Sequence, residues 1–74
     1  MEPKETFAER LKDLRTEKHI GQIELADKLQ VSRGIISLWE NGLREPTLSS
    51  LVKIAVFFGV SLDYLAGITD FDLK

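Results

Sequence analysis

Residues 21–42, "GQIELADKLQVSRGIISLWENG", constrain the fold more than any other stretch of the chain. Two segments with helical spacing of apolar residues stand on either side of an interruption of three residues, Gln30 to Ser32. In the first, Ile23, Leu25, Ala26 and Leu29 supply the apolar positions; in the second, Ile36 and Trp39 lie three apart, with Ile35 and Leu38 beside them. Ser32 is a candidate N-cap for the second segment. Gly42 is a candidate stop, because glycine enters the left-handed region without a side-chain clash. Ala26 sits four residues before Gln30 and ten before Ile36. A side chain that small lets two helices cross closely, with Ile36 anchoring the second.

The flanking sequence carries the same punctuation. Thr6 caps a first helix, with Glu9 three residues later in capping-box spacing, and Phe7, Leu11 and Leu14 form a narrow apolar stripe that ends near His19. "LREPTLSS" reads as a connection in which Pro46 restricts the residue before it and Thr47 or Ser49 starts a fourth helix. That helix carries Leu48, Leu51, Val52, Ile54, Ala55 and Phe58 and ends at Gly59. "VSLDYLAG" gives a fifth, capped by Ser61 and stopped by Gly67, and "ITDFDLK" follows as a tail. No stretch alternates convincingly between hairpin turns, so the expected fold class is all-α, a compact arrangement of five short helices. The expected boundaries are a flexible N-terminus over 1–5, one domain over 6–67 and a C-terminal tail over 68–74. The candidate core is Leu11, Leu14, Leu25, Ala26, Leu29, Val31, Ile36, Trp39, Leu51, Ile54, Leu62 and Leu65, with the Trp39 ring only partly enclosed. Ile35 stays open between the core and an outward face that meets a partner.

A chain of 74 residues supports one domain with a small, local core. Its 43% hydrophobic and 30% charged residues are those of a folded protein. Without cysteine there is no disulfide framework, cysteine zinc site or thiol chemistry, and a single histidine, His19, builds no metal site. No Ser/His/Asp set, phosphate-cradling glycine loop or metal-ligand cluster is present, so neither an enzyme nor a bound cofactor is expected. The opening "MEPKETFAERLK" lacks the apolar stretch of a signal peptide, and no run approaches the length of a membrane span; a cytoplasmic protein is expected. The net charge of -2 and pI near 5.3 speak against a polyanionic partner. That objection is weak, because a few local cations and backbone N–H groups bind phosphates while the far face stays acidic.

From about Phe7 to Gly67 the chain resembles the phage-repressor or Cro-like helix-turn-helix proteins of bacteria and phages, the XRE family. The most specific part is "QIELADKLQVSRGIISLWENG", at about 22–41, and "RLKDLRTEK" and "REPTLSSLVKIAVFFGVSLDYLAG" agree on either side. The resemblance implies a lambda-repressor-like domain that binds an operator in double-stranded DNA, as a homodimer on a pseudo-palindromic site, and represses transcription. It implies base readout by Arg33, Gly34, Ser37 and Leu38 on the recognition helix, and backbone contacts by Gln22, Ser32, Asn41 and Arg44. Arg15 and Glu40 match a pair that forms an internal ion pair in some relatives.

Chemistry distinguishes these roles. Arginine donates two bonds to guanine O6 and N7, which makes Arg33 the principal reader. Gly34 is permissive, allowing close approach to the duplex. Leu38 divides evenly between a thymine methyl and another part of the protein. Two departures from the family pattern stand out: Gln30 replaces the glycine usual at a left-handed turn position, and Gly21 replaces the Ser or Thr cap before the second helix, with Ile23 apolar where a polar residue is common. Phe57, Phe58, Tyr64, Ile68 and Phe71 form an apolar surplus assigned to a dimer contact, on the expectation that Phe57 and Phe58 cannot both face one core. The competing class is a protein-interaction module on the same scaffold, an antagonist or adaptor without direct DNA readout.

Overall fold

A computed structural model describes residues 6–68 as α1 (Phe7–Glu17), α2 (Gln22–Leu29), α3 (Arg33–Glu40), α4 (Leu48–Phe58) and α5 (Leu62–Ala66). The expected N-terminus over 1–5 and the tail beyond Ile68, Phe71 included, lie outside the described residues.

Each helix begins and ends for a local reason. At α1 the capping box is complete: Thr6 Oγ1 accepts from the Glu9 N–H, and Glu9 Oε1 accepts from the Thr6 N–H at 3.0 Å. Thr47 and Ser61 cap α4 and α5 in the simpler way, each hydroxyl accepting the N–H three residues on. Ser32 stands at the N-cap of α3 but its side chain makes no capping bond. α2 closes on Gln30 at φ 59° and ψ 46°, the left-handed conformation expected there, and the Val31 N–H then reaches the Ala26 carbonyl at 3.0 Å. His19 also has a positive φ, 58°, where the chain turns from α1 to α2; nothing in its sequence context marked it. Gly42, at φ 70°, follows the end of α3 and lets the Leu43 N–H return to the Leu38 carbonyl at 2.9 Å.

Every helix donates one aliphatic side chain with no exposure to a common centre: Leu11, Leu25, Ile36, Ile54 and Leu65. Leu14, Ala26, Leu29, Trp39, Ala55 and Val60 complete the buried cluster. Ala26, fully buried, sits where α2 crosses α3, and α1 braces α3 from the other side. Phe7 meets Trp39 edge to face, the ring centroids 6.3 Å apart.

Five expectations need correction. Trp39 is 3% exposed rather than partly enclosed. Leu62, placed in the core, is exposed at the first turn of α5; Val60, from the turn before it, and Leu65 are buried in its stead. Spacing alone puts Leu62 on the side of Leu65, but Val60 reaches the core from the turn before α5 and takes the place beside Leu65. Val31 and Leu51 are half-buried and pack against the cluster rather than within it. Phe57 and Phe58 both pack on the core, ring centroids 4.9 Å apart, because they stand three and four residues after buried Ile54 and straddle its face.

Tyr64, assigned to a dimer contact, also packs against the core, with the Arg10 guanidinium 4.3 Å above its ring. Arg10 itself is 2% exposed and donates from Nη1 to the Tyr64 carbonyl at 2.8 Å. Of the residues assigned to that contact, Ile68 after α5 is turned outward; Leu48, Val52 and Val56 along α4 are exposed as well, as are Ile23, Leu43 and Leu62.

Candidate nucleic-acid interface

α3 separates its residues by period. Ile36 and Trp39 turn to the core, Ile35 packs half-buried against it, and Arg33 and Gly34 are exposed at the leading turn. Ile35 thus joins the core side of the helix. Ser37 and Leu38 are half-buried one turn on. A Cβ at Gly34 would meet nothing within 4 Å, so the domain itself does not need glycine there; the bare backbone leaves a gap on the outer surface. Asn41 closes this face from the C-terminal end, its Nδ2 donating to the Ser37 carbonyl at 2.9 Å and to Ser37 Oγ at 3.2 Å. Arg44 is exposed in the connection to α4, and Ser32, exposed, keeps its hydroxyl free of any capping bond.

Beneath this surface a polar network joins three helices. Arg15 of α1 donates from Nε to Glu40 Oε2 at 2.6 Å and from Nη2 to Oε1 at 3.0 Å, a two-pronged ion pair. Its Nη1 donates to the Ile20 carbonyl at 2.9 Å, which ties down the turn before α2. Both side chains are largely enclosed, at 13% and 3% exposure for Arg15 and Glu40. The hydrogen bond to Glu40 raises the Arg15 pKa above its ordinary value; desolvation lowers it, and the charge of Glu40 adds to the rise. Gln22, the first residue of α2, donates from Nε2 to Glu40 Oε1 at 3.1 Å. Gly21 before it brings no side chain to that helix end, so the first-turn N–H groups of α2 have no side-chain cap.

The structure therefore brings Gln22, Ser37 and Asn41 into bonds within the domain and leaves Arg33, Gly34, Ser32 and Arg44 turned outward. Arg10 was missed by sequence reasoning, although it lies on the α1 stripe, three residues after Phe7 and four before Leu14. Its charge masked the spacing.

The helix-turn-helix family model matches residues 11–65, most of the chain. The chain belongs to the XRE, or phage-repressor/Cro-like, helix-turn-helix family. This is a family of transcriptional regulators and not of enzymes. Among solved XRE structures, the P22 c2 repressor in complex with a synthetic operator superposes with a TM-score of 0.80 at 31% identity, over 84% of this chain and 94% of that one. The N-terminal DNA-binding domain of SinR from Bacillus subtilis superposes at 0.73 with 32% identity, over 80% and 87% of the two chains. The HTH-type transcriptional activator BcrR of Enterococcus faecalis is 48% identical over 59 residues, 80% of this chain but 29% of BcrR. Two further Bacillus subtilis regulators are spanned over 51% and 55% of their length, so this XRE domain corresponds to about half or less of such relatives. Among the described residues no group of His, Cys, Asp and Glu gathers to hold a metal ion, and no helix is long and apolar enough to cross a membrane.

Proposed function

We propose that this XRE domain binds double-stranded DNA sequence-specifically as a transcriptional regulator, with α3 in the major groove. The observation that carries the reading is the exposed leading turn of α3, where Arg33 stands beside the bare backbone of Gly34 while Ile36 and Trp39 hold the opposite face in the core. Arg33 reads a guanine edge, Gly34 permits close approach, and Ser37 and Leu38 contact the groove one turn along. Ser37 Oγ accepts from Asn41, so its own O–H remains for a base acceptor. Gln22, Ser32, Asn41 and Arg44 position the domain on the phosphates; Asn41 must turn one N–H away from Ser37 to do so. With a net charge of -2, these local donors and not a global field supply the attraction. Selection of bound duplexes from a random DNA pool tests the reading and yields the operator; recovery of no preferred sequence would refute it.

The assembly we propose is a homodimer on a pseudo-palindromic operator, recognition helices about 34 Å apart, acting as a repressor by occluding a promoter. The operator-bound P22 c2 repressor supports repression, whereas BcrR is named an activator, so a promoter reporter with and without the protein decides the sign. The proposed dimer contact is α5 and the segment after it, where Ile68 is 75% exposed; Phe57, Phe58 and Tyr64 contribute only their outer edges. A second reading, a protein-interaction module on this scaffold, draws on the outward row Leu48, Val52 and Val56 along α4. Steep loss of DNA affinity with rising salt supports the first reading against the second.

A further inference from the structure

We infer that Glu40 is a positioning residue for operator binding: buried and held by Arg15, it fixes the Gln22 side-chain amide at the opening of α2, where the free N–H of that amide meets a DNA phosphate. This rests on the DNA-binding reading above.

The geometry determines how the amide is turned. A carboxylate in an ion pair only accepts hydrogen bonds, so Gln22 must present its NH₂ group, not its carbonyl, to Glu40 Oε1 at 3.1 Å. Nε2 carries two hydrogens and Glu40 takes one. The second is left to a further acceptor, and the half-exposed side chain stands at a helix end whose backbone donors have no side-chain cap. Glu40 is a firm anchor because both its oxygens accept from Arg15 and its side chain is 3% exposed. Arg15 in turn holds the Ile20 carbonyl, two residues before Gln22, so the same guanidinium sets the backbone and the side chain of that helix opening. A free glutamine loses rotamer entropy when it grips a phosphate; one already held does not, and the difference appears as affinity. The ion pair between α1 and α3 therefore acts on DNA through a residue of α2, without touching it.

Removing Glu40 alone would orphan a buried guanidinium and threaten folding, so the test removes both charges together, as Arg15→Met with Glu40→Leu. Gln22→Ala is made in the natural background and in that double variant, and binding to the selected operator is followed by fluorescence anisotropy at several salt concentrations. In the natural background Gln22→Ala weakens binding roughly tenfold. The double variant, folded by its cooperative thermal melt, loses a similar factor, and Gln22→Ala then costs it nothing more. Because glutamine neutralises no phosphate, the slope of affinity against salt is the same in all four proteins. A folded double variant that binds like the natural protein, or a Gln22→Ala penalty equal in both backgrounds, overturns the inference. Should the double variant not fold, ¹⁵N relaxation of the Gln22 side-chain amide in the natural protein decides: an amide rigid on the picosecond to nanosecond timescale supports the hold by Glu40, and a freely averaging one overturns it. Failure of the DNA-binding reading looks different, since the natural protein then selects no duplex while the amide relaxation still reports on Glu40.

Discussion

Arg33 and Arg44 carry the same charge and should fail differently. Arg33→Ala removes a base reader, so it is expected to cost about 1–3 kcal/mol on the preferred operator and little on unrelated DNA, relaxing preference at one base pair. A competition titration against single-base operator variants measures this, and equal loss on every duplex refutes readout by Arg33. Arg44→Ala removes a phosphate contact; affinity should fall on all sequences, and the slope of log affinity against log salt should shrink by about 0.9. Arg15→Ala acts first on stability. It leaves Glu40 buried at 3% exposure without its ion partner, and the urea midpoint should fall by the equivalent of about 3–5 kcal/mol. The partners Arg15 and Glu40 were legible only through family resemblance, since 25 residues separate them and no local spacing links the two. Arg10 was not legible at all, because a guanidinium on an apolar stripe is buried only if some carbonyl lies within reach. Here that carbonyl belongs to Tyr64, 54 residues away.

The helices themselves were the most legible elements, since their limits are decided by caps and left-handed residues that act within one turn. Thr6, Thr47 and Ser61 behave as their residue types predict. The turn inside the helix-turn-helix is the exception with a cost: Gln30 occupies a conformation in which a β-carbon crowds the following carbonyl. Gln30→Gly should therefore raise stability by roughly 0.5–1 kcal/mol, read as a higher thermal midpoint, with operator affinity unchanged. An unchanged or lowered midpoint would show that the Gln30 side chain contributes more than its backbone strain costs. The elements misread were those at helix ends. Whether Leu62 or Val60 fills the last core position depends on the angle at which α5 returns to the bundle, and whether both Phe57 and Phe58 find cover depends on what stands on either side of α4.

At the scale of the whole molecule, one fully buried side chain from each of five helices meets at a single centre, so truncating any of them should be felt throughout. Ile54→Ala is expected to cost about 2–5 kcal/mol and to lower operator affinity only through the loss of folded protein, a distinction that denaturation and binding measured below the melt will make. Assembly is the other property of this scale. Sedimentation at micromolar concentration should detect a dimer, with or without DNA, and a monomer under both conditions would remove α5 as the contact. By itself the sequence determined that the chain is all-α, where the five helices lie to within a residue or two at their ends, and that Ile36 and Trp39 of α3 face the core. Those follow from capping and periodicity, interactions that span no more than a turn or two. Tertiary structure alone decided that Trp39 and Arg10 are enclosed, that Leu62 is not, that Ile35 joins the core side, and that Gln22 is held by Glu40. Each of these depends on residues distant in the chain meeting at a particular distance and angle, which no local pattern encodes.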